Sequence, residues 1–167
     1  MSNRELHEKV ALITGVSRRA GIGAAVAREL AGAGAKIFVA FLRKYDEGQS
    51  WGVQSHEPEM LMDELAALSE VSGLEIDLAD PSGPPTLFKR ATARFGRVDI
   101  LVNCAGVVAV RPFAEMDAST WDHVLEVNLR GTFLCCHEAF RIMAVQGSGV
   151  IVNLSSLSGV KGIEKFR

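Results

Sequence analysis

Nothing in this sequence approaches the roughly 18 consecutive apolar residues that a membrane-spanning helix needs. Its first residues, Met1 to Glu8, are polar and charged, unlike the apolar core of a secretory signal. Charge of one sign is missing too. The 18 lysines and arginines against 20 aspartates and glutamates leave a net charge of −2. That balance gives no electrostatic reason to expect nucleic acid or an acidic membrane as a partner. Cysteine is scarce: Cys104, Cys135 and Cys136 are odd in number, and no paired spacing suits a metal. Cys135 and Cys136 point in different directions on a predicted helix, which excludes an ordinary disulfide framework and leaves no metal site to propose. A reducing, cytoplasmic compartment is the expected home. Repeats and low-complexity tracts are absent, and tyrosine occurs once, at Tyr45.

What is present begins with length and apolar content. With 48% hydrophobic residues, 167 residues suffice for a single domain over 1–167 with a sizeable core, or for an incomplete larger one. The chain is organised around Leu12-Ile13-Thr14-Gly15-Val16-Ser17-Arg18-Arg19-Ala20-Gly21-Ile22-Gly23. Before this stretch, Val10 to Ile13 reads as a strand buried on both faces. After it, Ile22, Val26 and Leu30 recur at the spacing of one helix face. Three glycines therefore occupy the turn between a buried strand and a helix. In such a turn a pyrophosphate meets bare backbone and the unpaired N–H groups of a helix start.

Further along, Lys36 to Leu42 is a second apolar run, which completes a strand–helix–strand unit. Residues 43–57 show no clear period and read as a long loop insertion, with Trp51 pinned to the body or serving as a lid or partner surface. Pro58 fits a helix start, and Leu61, Leu65 and Leu68 mark that helix's buried face, with Gly73 ending it. Leu74 to Leu78 reads as a third strand that delivers Asp77. Leu87, Ala91 and Phe95 stripe the next helix up to Gly96. Val98 to Val102 is a fourth strand, leading into Asn103-Cys104-Ala105-Gly106. Ser119-Thr120-Trp121-Asp122 reads as a capping box opening a long helix to about Val145, with Trp121, Leu125, Thr132 and Cys136 on or near one face. Val150 to Leu154 is the fifth strand, followed by Ser155 and Ser156.

Five apolar strands alternating with helices predict an α/β fold: a doubly wound parallel sheet of Rossmann type in three layers, α/β/α. Ligands of such sheets bind beyond the strands' carboxyl ends, where the strand order reverses. The glycine turn, Asp77, Asn103 to Gly106 and Ser155-Ser156 all stand at such ends and are expected to converge on one nucleotide crevice.

These residues resemble the short-chain dehydrogenase/reductase family. Thr14-Gly15 with Gly21-Ile22-Gly23 is similar to the family's cofactor turn, and Asn103-Cys104-Ala105-Gly106 to its Asn-Asn-Ala-Gly. Asn128 fits the asparagine of its long fourth helix, and Asn153-Leu154-Ser155-Ser156 the strand bearing the catalytic serine. The resemblance covers nearly the whole chain and implies cofactor contacts from Gly15, Ser17, Arg18, Arg19, Gly21, Ile22, Gly23, Arg43, Asp77, Leu78, Asn103, Ala105 and Gly106. Catalytic roles fall to Asn128, which keeps a water in the proton path, and to Ser156, which hydrogen-bonds the substrate carbonyl. Asn128 has a purely structural reading beside this one, a buried amide holding a bent helix.

Two departures stand out at the turn. The interval Val16 to Ala20 is longer than the family's usual spacing, and Cys104 replaces the second asparagine, where it reads as a small buried hydrophobe. At the end of the second strand, members that prefer NAD carry a carboxylate for the ribose diol; here Phe41 stands there, followed by Leu42 and Arg43. With Arg18, Arg19 and Arg43 available for a 2′-phosphate, NADP(H) is favoured over NAD(H).

The family's proton donor is a tyrosine with a lysine four residues on, about a dozen residues beyond the serine. No Tyr-x-x-x-Lys occurs here; Lys161 and Lys165 have no tyrosine before them. The chain is thus expected to be C-terminally truncated, lacking the family's last strands and helices, and inactive alone. The complete form, most similar to bacterial 3-oxoacyl-(acyl-carrier-protein) reductases, is expected to interconvert a small-molecule ketone and alcohol and to assemble as a homodimer or homotetramer. The alternative is a mature, inactive dinucleotide-binding or partner-binding module. The apolar fifth strand argues against it, because such a module should have blunted a bare sheet edge.

Overall fold

A computed structural model describes residues 5–49, 52, 54 and 56–157. Five strands, β1 (Val10–Thr14), β2 (Lys36–Phe41), β3 (Val71–Glu75), β4 (Ile100–Asn103) and β5 (Val150–Asn153), form one parallel sheet in the order β3-β2-β1-β4-β5. The pairs Thr14 with Ala40, Phe41 with Glu75, and Asn103 with Asn153 bring the carboxyl ends level. After β2 and β3 the chain crosses back over β1 to form β4, so strand order reverses between β1 and β4.

Alternate residues of the apolar runs feed two cores, which makes the fold three-layered. On one face Ala11, Ile13, Ile37, Val39 and Phe41 pack against α1 (Ile22–Gly32) and α3 (Glu57–Ala66). On the other, Leu12, Phe38, Ala40 and Leu101 pack against α4 (Gly83–Phe95) and α6 (Thr132–Gln146). The stripe of α4 is as expected: Leu87 and Ala91 are fully buried, and Gly96 closes the helix in the left-handed region at φ 79°.

Several elements differ from their sequence expectation. The fully buried face of α1 is Gly23, Ala24, Ala27 and Ala31; of the Ile22, Val26 and Leu30 stripe, Val26 and Leu30 pack partly buried against this core, while Ile22 is 67% exposed. Small residues win because the helix lies close to the sheet: a Cβ on Gly23 would stand 2.9 Å from Gly15 O. The helix α3 ends at Ala66, and Gly73 lies inside β3 instead of stopping a helix. There it leaves room for its neighbours, since a Cβ would meet Met62 Sδ at 2.7 Å and Val39 Cγ2 at 2.8 Å. Asp77 and Leu78 consequently lie beyond β3, not within it. Leu68 is 51% exposed. Within the expected loop, Arg43–Glu47 forms a short helix, α2. Trp51 lies outside the described residues, as do Lys161 and Lys165.

The long helix is capped by Asp117, whose carboxylate accepts from Thr120 N at 2.7 Å, not by Ser119. This and the bond from Ser119 Oγ hold the Asp117 carboxyl down to about 2. The helix has two parts, α5 (Ala118–Leu125) and α6, joined by a π-helical turn over Glu126–Gly131. The turn lies where the helix closes on the β3–α4 connection. A Cβ on Gly131 would be 2.9 Å from Leu78 O, and Arg130 Nη2 donates to Ala79 O at 2.6 Å. The buried positions here are Val127, Cys135, Ala139 and Met143, whereas Trp121 and Leu125 face outward.

At the far end of the sheet, Asp99 is 4% exposed and ties the segment before β4 to the start of β1. It accepts from Val10 N (2.9 Å) and from Arg97 Nε (2.8 Å) and Nη2 (2.6 Å), with Lys9 Nζ at 3.6 Å. Burial alone would raise its pKa; these donors override it and hold the carboxyl below the ordinary aspartate value.

A candidate dinucleotide cleft at the strand carboxyl ends

The glycine turn is fastened to the neighbouring strand before it can meet any ligand. Thr14 Oγ1, at the end of β1, accepts from both Cys104 N and Ala105 N at 3.1 Å. Gly15 follows at φ 74°, so close to β4 that a Cβ would fall 2.6 Å from Ala105 Cα. Only glycine has both the left-handed freedom and the missing side chain this position demands. Ser17 Oγ accepts from Leu42 N at 3.3 Å and donates to Leu42 O at 3.4 Å, tying the turn to the end of β2. Gly21 is the N-cap of α1 with no side-chain cap, and the first turn holds no acid. The amino end of α1 therefore keeps its partial positive charge for an anion.

A cleft of about 610 Å³ runs across these ends. Of the residues singled out from sequence, it is lined by Gly15, Ser17, Asp77, Leu78, Ala105 and Gly106. Asp77 also accepts from Ala79 N at 2.8 Å, which shapes the turn after β3. Gly106 leaves its wall open: the nearest atom to a Cβ there would be Asn128 Oδ1 at 3.6 Å. Asn128 stands behind that wall in the π turn. Its Oδ1 accepts from Val107 N at 2.8 Å and its Nδ2 donates to Val107 O at 2.9 Å, so one amide clamps both main-chain groups of a single residue.

The remaining singled-out residues do not line the cleft. Asn103 is buried between strands, with Nδ2 donating to Asn153 Oδ1 at 2.8 Å. Ser156 is exposed after β5. Gly21, Ile22 and Gly23 stand at the start of α1, and Arg18 is half-buried on the turn. Arg19 and Arg43 are bonded to carboxylates of α3. Arg19 N donates to Glu57 Oε1 and Arg19 Nη2 to Glu64 Oε2, both at 3.2 Å. Arg28 shares Glu64 at 2.6 and 3.0 Å and, with Arg19, holds its carboxyl down to about 2. Arg43 pairs with Glu59 and Glu75. Burial pushes the Cys104 thiol up, so it carries no activated thiolate.

Sequence reasoning missed other residues of the lining, among them Lys44, Tyr45, Gln49, Arg111, Thr120 and His123. Only the compactness of Arg43 to Gly48 could have signalled any of them. Among the described residues no three His, Cys, Asp or Glu side chains converge on a metal position, and no helix is long and apolar enough to cross a membrane. The residues present do suit a dinucleotide. The helix start is bare, two glycines open onto backbone, and the volume lies within the roughly 300–1,000 Å³ of ligand sites.

A doubly wound parallel sheet with this turn at its switch point defines a Rossmann-type dinucleotide-binding protein. Residues 9–167 match the model for short chain dehydrogenase, and the chain belongs to that family of oxidoreductases, which use nicotinamide dinucleotides on small molecules. The chain is 35% identical over 160 residues to D-threitol dehydrogenase of Mycolicibacterium smegmatis, covering 96% of itself and 57% of that protein. It is 33% identical over 155 residues to the 3-oxoacyl-(acyl-carrier-protein) reductase of Staphylococcus aureus, covering 92% and 58%. Among solved structures, a short chain dehydrogenase from Burkholderia cenocepacia in complex with NADP superposes with a TM-score of 0.82 at 28% identity, over 95% of this chain and 60% of that one. A short-chain type dehydrogenase/reductase from Mycobacterium marinum gives 0.82 at 31% identity, over 97% and 61%. The chain thus spans rather more than half the length of its relatives.

Proposed function

We propose that this chain forms the cofactor-binding part of a cytoplasmic NADP(H)-dependent carbonyl reductase acting on a ketone of 3-oxoacyl type, and that the complete form is a homodimer or homotetramer. The observation carrying this reading is the cleft itself, lined by Gly15, Ser17, Asp77, Leu78, Ala105 and Gly106, with Phe41 and not an acid as the last residue of β2. Gly15, Ser17, Arg18, Arg19, Gly21, Ile22 and Gly23 cradle the phosphates. Asp77 and Leu78 bracket the adenine. Asn103, Ala105 and Gly106 form the wall along which the rest of the cofactor lies. Arg43, one residue beyond cleft-lining Leu42, answers a 2′-phosphate. Ser156 polarises the carbonyl, and Asn128, fixed by Val107, holds a water in the proton path. A bound nicotinamide dinucleotide would supply the hydride.

The proton is the missing half. Tyr45, on the cleft wall, has no lysine four residues on; Gln49 stands there. The reading therefore expects the purified 167-residue chain to quench and shift NADPH fluorescence on titration, yet to show no oxidation of NADPH with ketones. A folded chain that fails to bind NADPH or NADH overturns the cofactor assignment. Measurable turnover would overturn the assignment of the proton donor to a tyrosine that this sequence does not contain.

A further inference from the structure

We propose that Glu59 and Glu75 are positioning residues that set the cofactor preference of this cleft, by holding Arg43 in an ion-pair clamp with which a 2′-phosphate must compete. The inference rests on the NADP(H) reading above and deepens it.

Two cleft-lining residues, Ser17 and Leu42, hydrogen-bond to each other at the junction of the glycine turn with β2. Arg18 follows the first and Arg43 the second, so both arginines leave the main chain one residue from the cleft. Arg43 has been drawn to the α3 side. Its Nη1 pairs with Glu75, its Nη2 with Glu59, and its backbone N donates to Glu75 Oε1 at 3.0 Å. The guanidinium carbon sits 4.9 Å from the centroid of the Phe41 ring, which supports this orientation from below. The two acids come from different elements, α3 and β3, and meet at one cation by tertiary placement.

Charge decides what the arrangement does. One guanidinium between two carboxylates sums to −1, so the Arg43 cluster by itself is not positive as it stands; Arg18 on the glycine turn and Lys44 on the cleft lining add cations outside it. A 2′-phosphate has to share the Arg43 guanidinium with two carboxylates that already neutralise it, so its charge-assisted contact gains less than it would at an unpaired arginine. A ribose bearing a free 2′-hydroxyl needs no such sharing. Discrimination between the two cofactors is accordingly held down by the clamp, and each acid is a setting on it. Glu59 is the cleaner one to change, because Glu75 also holds the backbone of α2.

The test titrates adenosine 2′,5′-bisphosphate and AMP, which differ only in the 2′-phosphate, into the wild-type chain, Glu59→Gln, Glu75→Gln and the double variant Glu59→Gln/Arg43→Gln at low ionic strength. Glu59→Gln is expected to bind the bisphosphate about three- to tenfold more tightly, with AMP within twofold, as for one charge pair at a partly screened site. The gain should disappear in the double variant and shrink with added salt. A purely structural role for the acids would move both ligands together and leave their ratio unchanged. An unchanged ratio in both single variants, with AMP still bound, overturns the clamp alone. Failure of folded wild type and variants to bind either nucleotide overturns the dinucleotide reading, and the clamp with it.

Discussion

Three glycines of this chain separate two costs that usually arrive together, and alanine at each predicts a graded series. At Gly15 both apply. The φ of 74° costs an L-residue about 1–2 kcal/mol. A Cβ there lies 2.6 Å from Ala105 Cα and N and 2.8 Å from Cys104 C. All three are backbone atoms fastened by Thr14 Oγ1, so the contact can be relieved only by parting β1 from β4, an overpacking cost of about 1–3 kcal/mol. Gly15→Ala should therefore lose about 2–5 kcal/mol. At Gly96 only the first cost applies: φ is 79° and nothing lies within 4 Å of a Cβ. The strain of about 1–2 kcal/mol is partly offset by the reduced freedom of the unfolded chain, leaving a loss of about 1 kcal/mol. At Gly32 neither applies, and alanine in the last turn of α1 should gain about 0.5–1 kcal/mol. Urea titration followed by far-ultraviolet circular dichroism, at one protein concentration, reads all three. Equal losses for Gly15→Ala and Gly96→Ala would refute the close approach of the turn to β4, and with it the geometry of the cleft floor.

Two further predictions concern polar side chains with several partners. Asn128→Ala orphans both main-chain groups of Val107, a residue only 9% exposed, and should cost about 2–4 kcal/mol; hydrogen exchange at the Val107 amide should accelerate with it, and an amide that stays equally protected would refute the clamp. Asp99→Asn should cost about 1–3 kcal/mol at pH 7 by leaving Arg97 and Lys9 without their charge. Because the folded carboxyl titrates below its ordinary value, its contribution is complete above about pH 4 and is lost as pH falls through the folded value. The two urea midpoints should therefore draw together in acid, and a gap that persists there would refute an ionic origin.

Which parts of this molecule are legible in its sequence follows from how each part packs. Strands buried on both faces must be apolar throughout, so β1, β2 and β4 stand out as runs; β5 is an equally apolar run, but at the sheet edge it is largely exposed, with Val150 at 56%. The helix α4 packs with large side chains, and Leu87, Ala91 and Gly96 announce it. The strand β3 is Val-Ser-Gly-Leu-Glu, half covered, with a glycine serving close packing that reads locally as a stop. The helix α1 hides its inner face because alanine and glycine mark contact without marking hydrophobicity. At the site, groups tied to strand ends were readable, since topology alone carries Gly15, Asp77, Leu78, Ala105 and Gly106 to one crevice. Lys44, Tyr45 and Gln49 were not, because α2 is too short to show a period. The carboxylates around Arg19 and Arg43 were not either, because those pairs span separations of 16 to 45 residues and exist only once α3 and β3 are in place.

The π turn over Glu126–Gly131 has a consequence for how this helix tolerates editing. Such a turn holds one residue more than the α-helical path needs, so the segment has a built-in surplus. Removing a single residue there would leave a straighter, more regular helix. Because a π turn advances less per residue than an α turn, the surplus is absorbed inside it and the segments on either side would keep their phase. Cys135, Ala139 and Met143 would keep their places on the sheet, and Thr120, His123 and Val124 theirs on the cleft. The loss would be local, at the clamp that Asn128 makes on Val107 from within the turn.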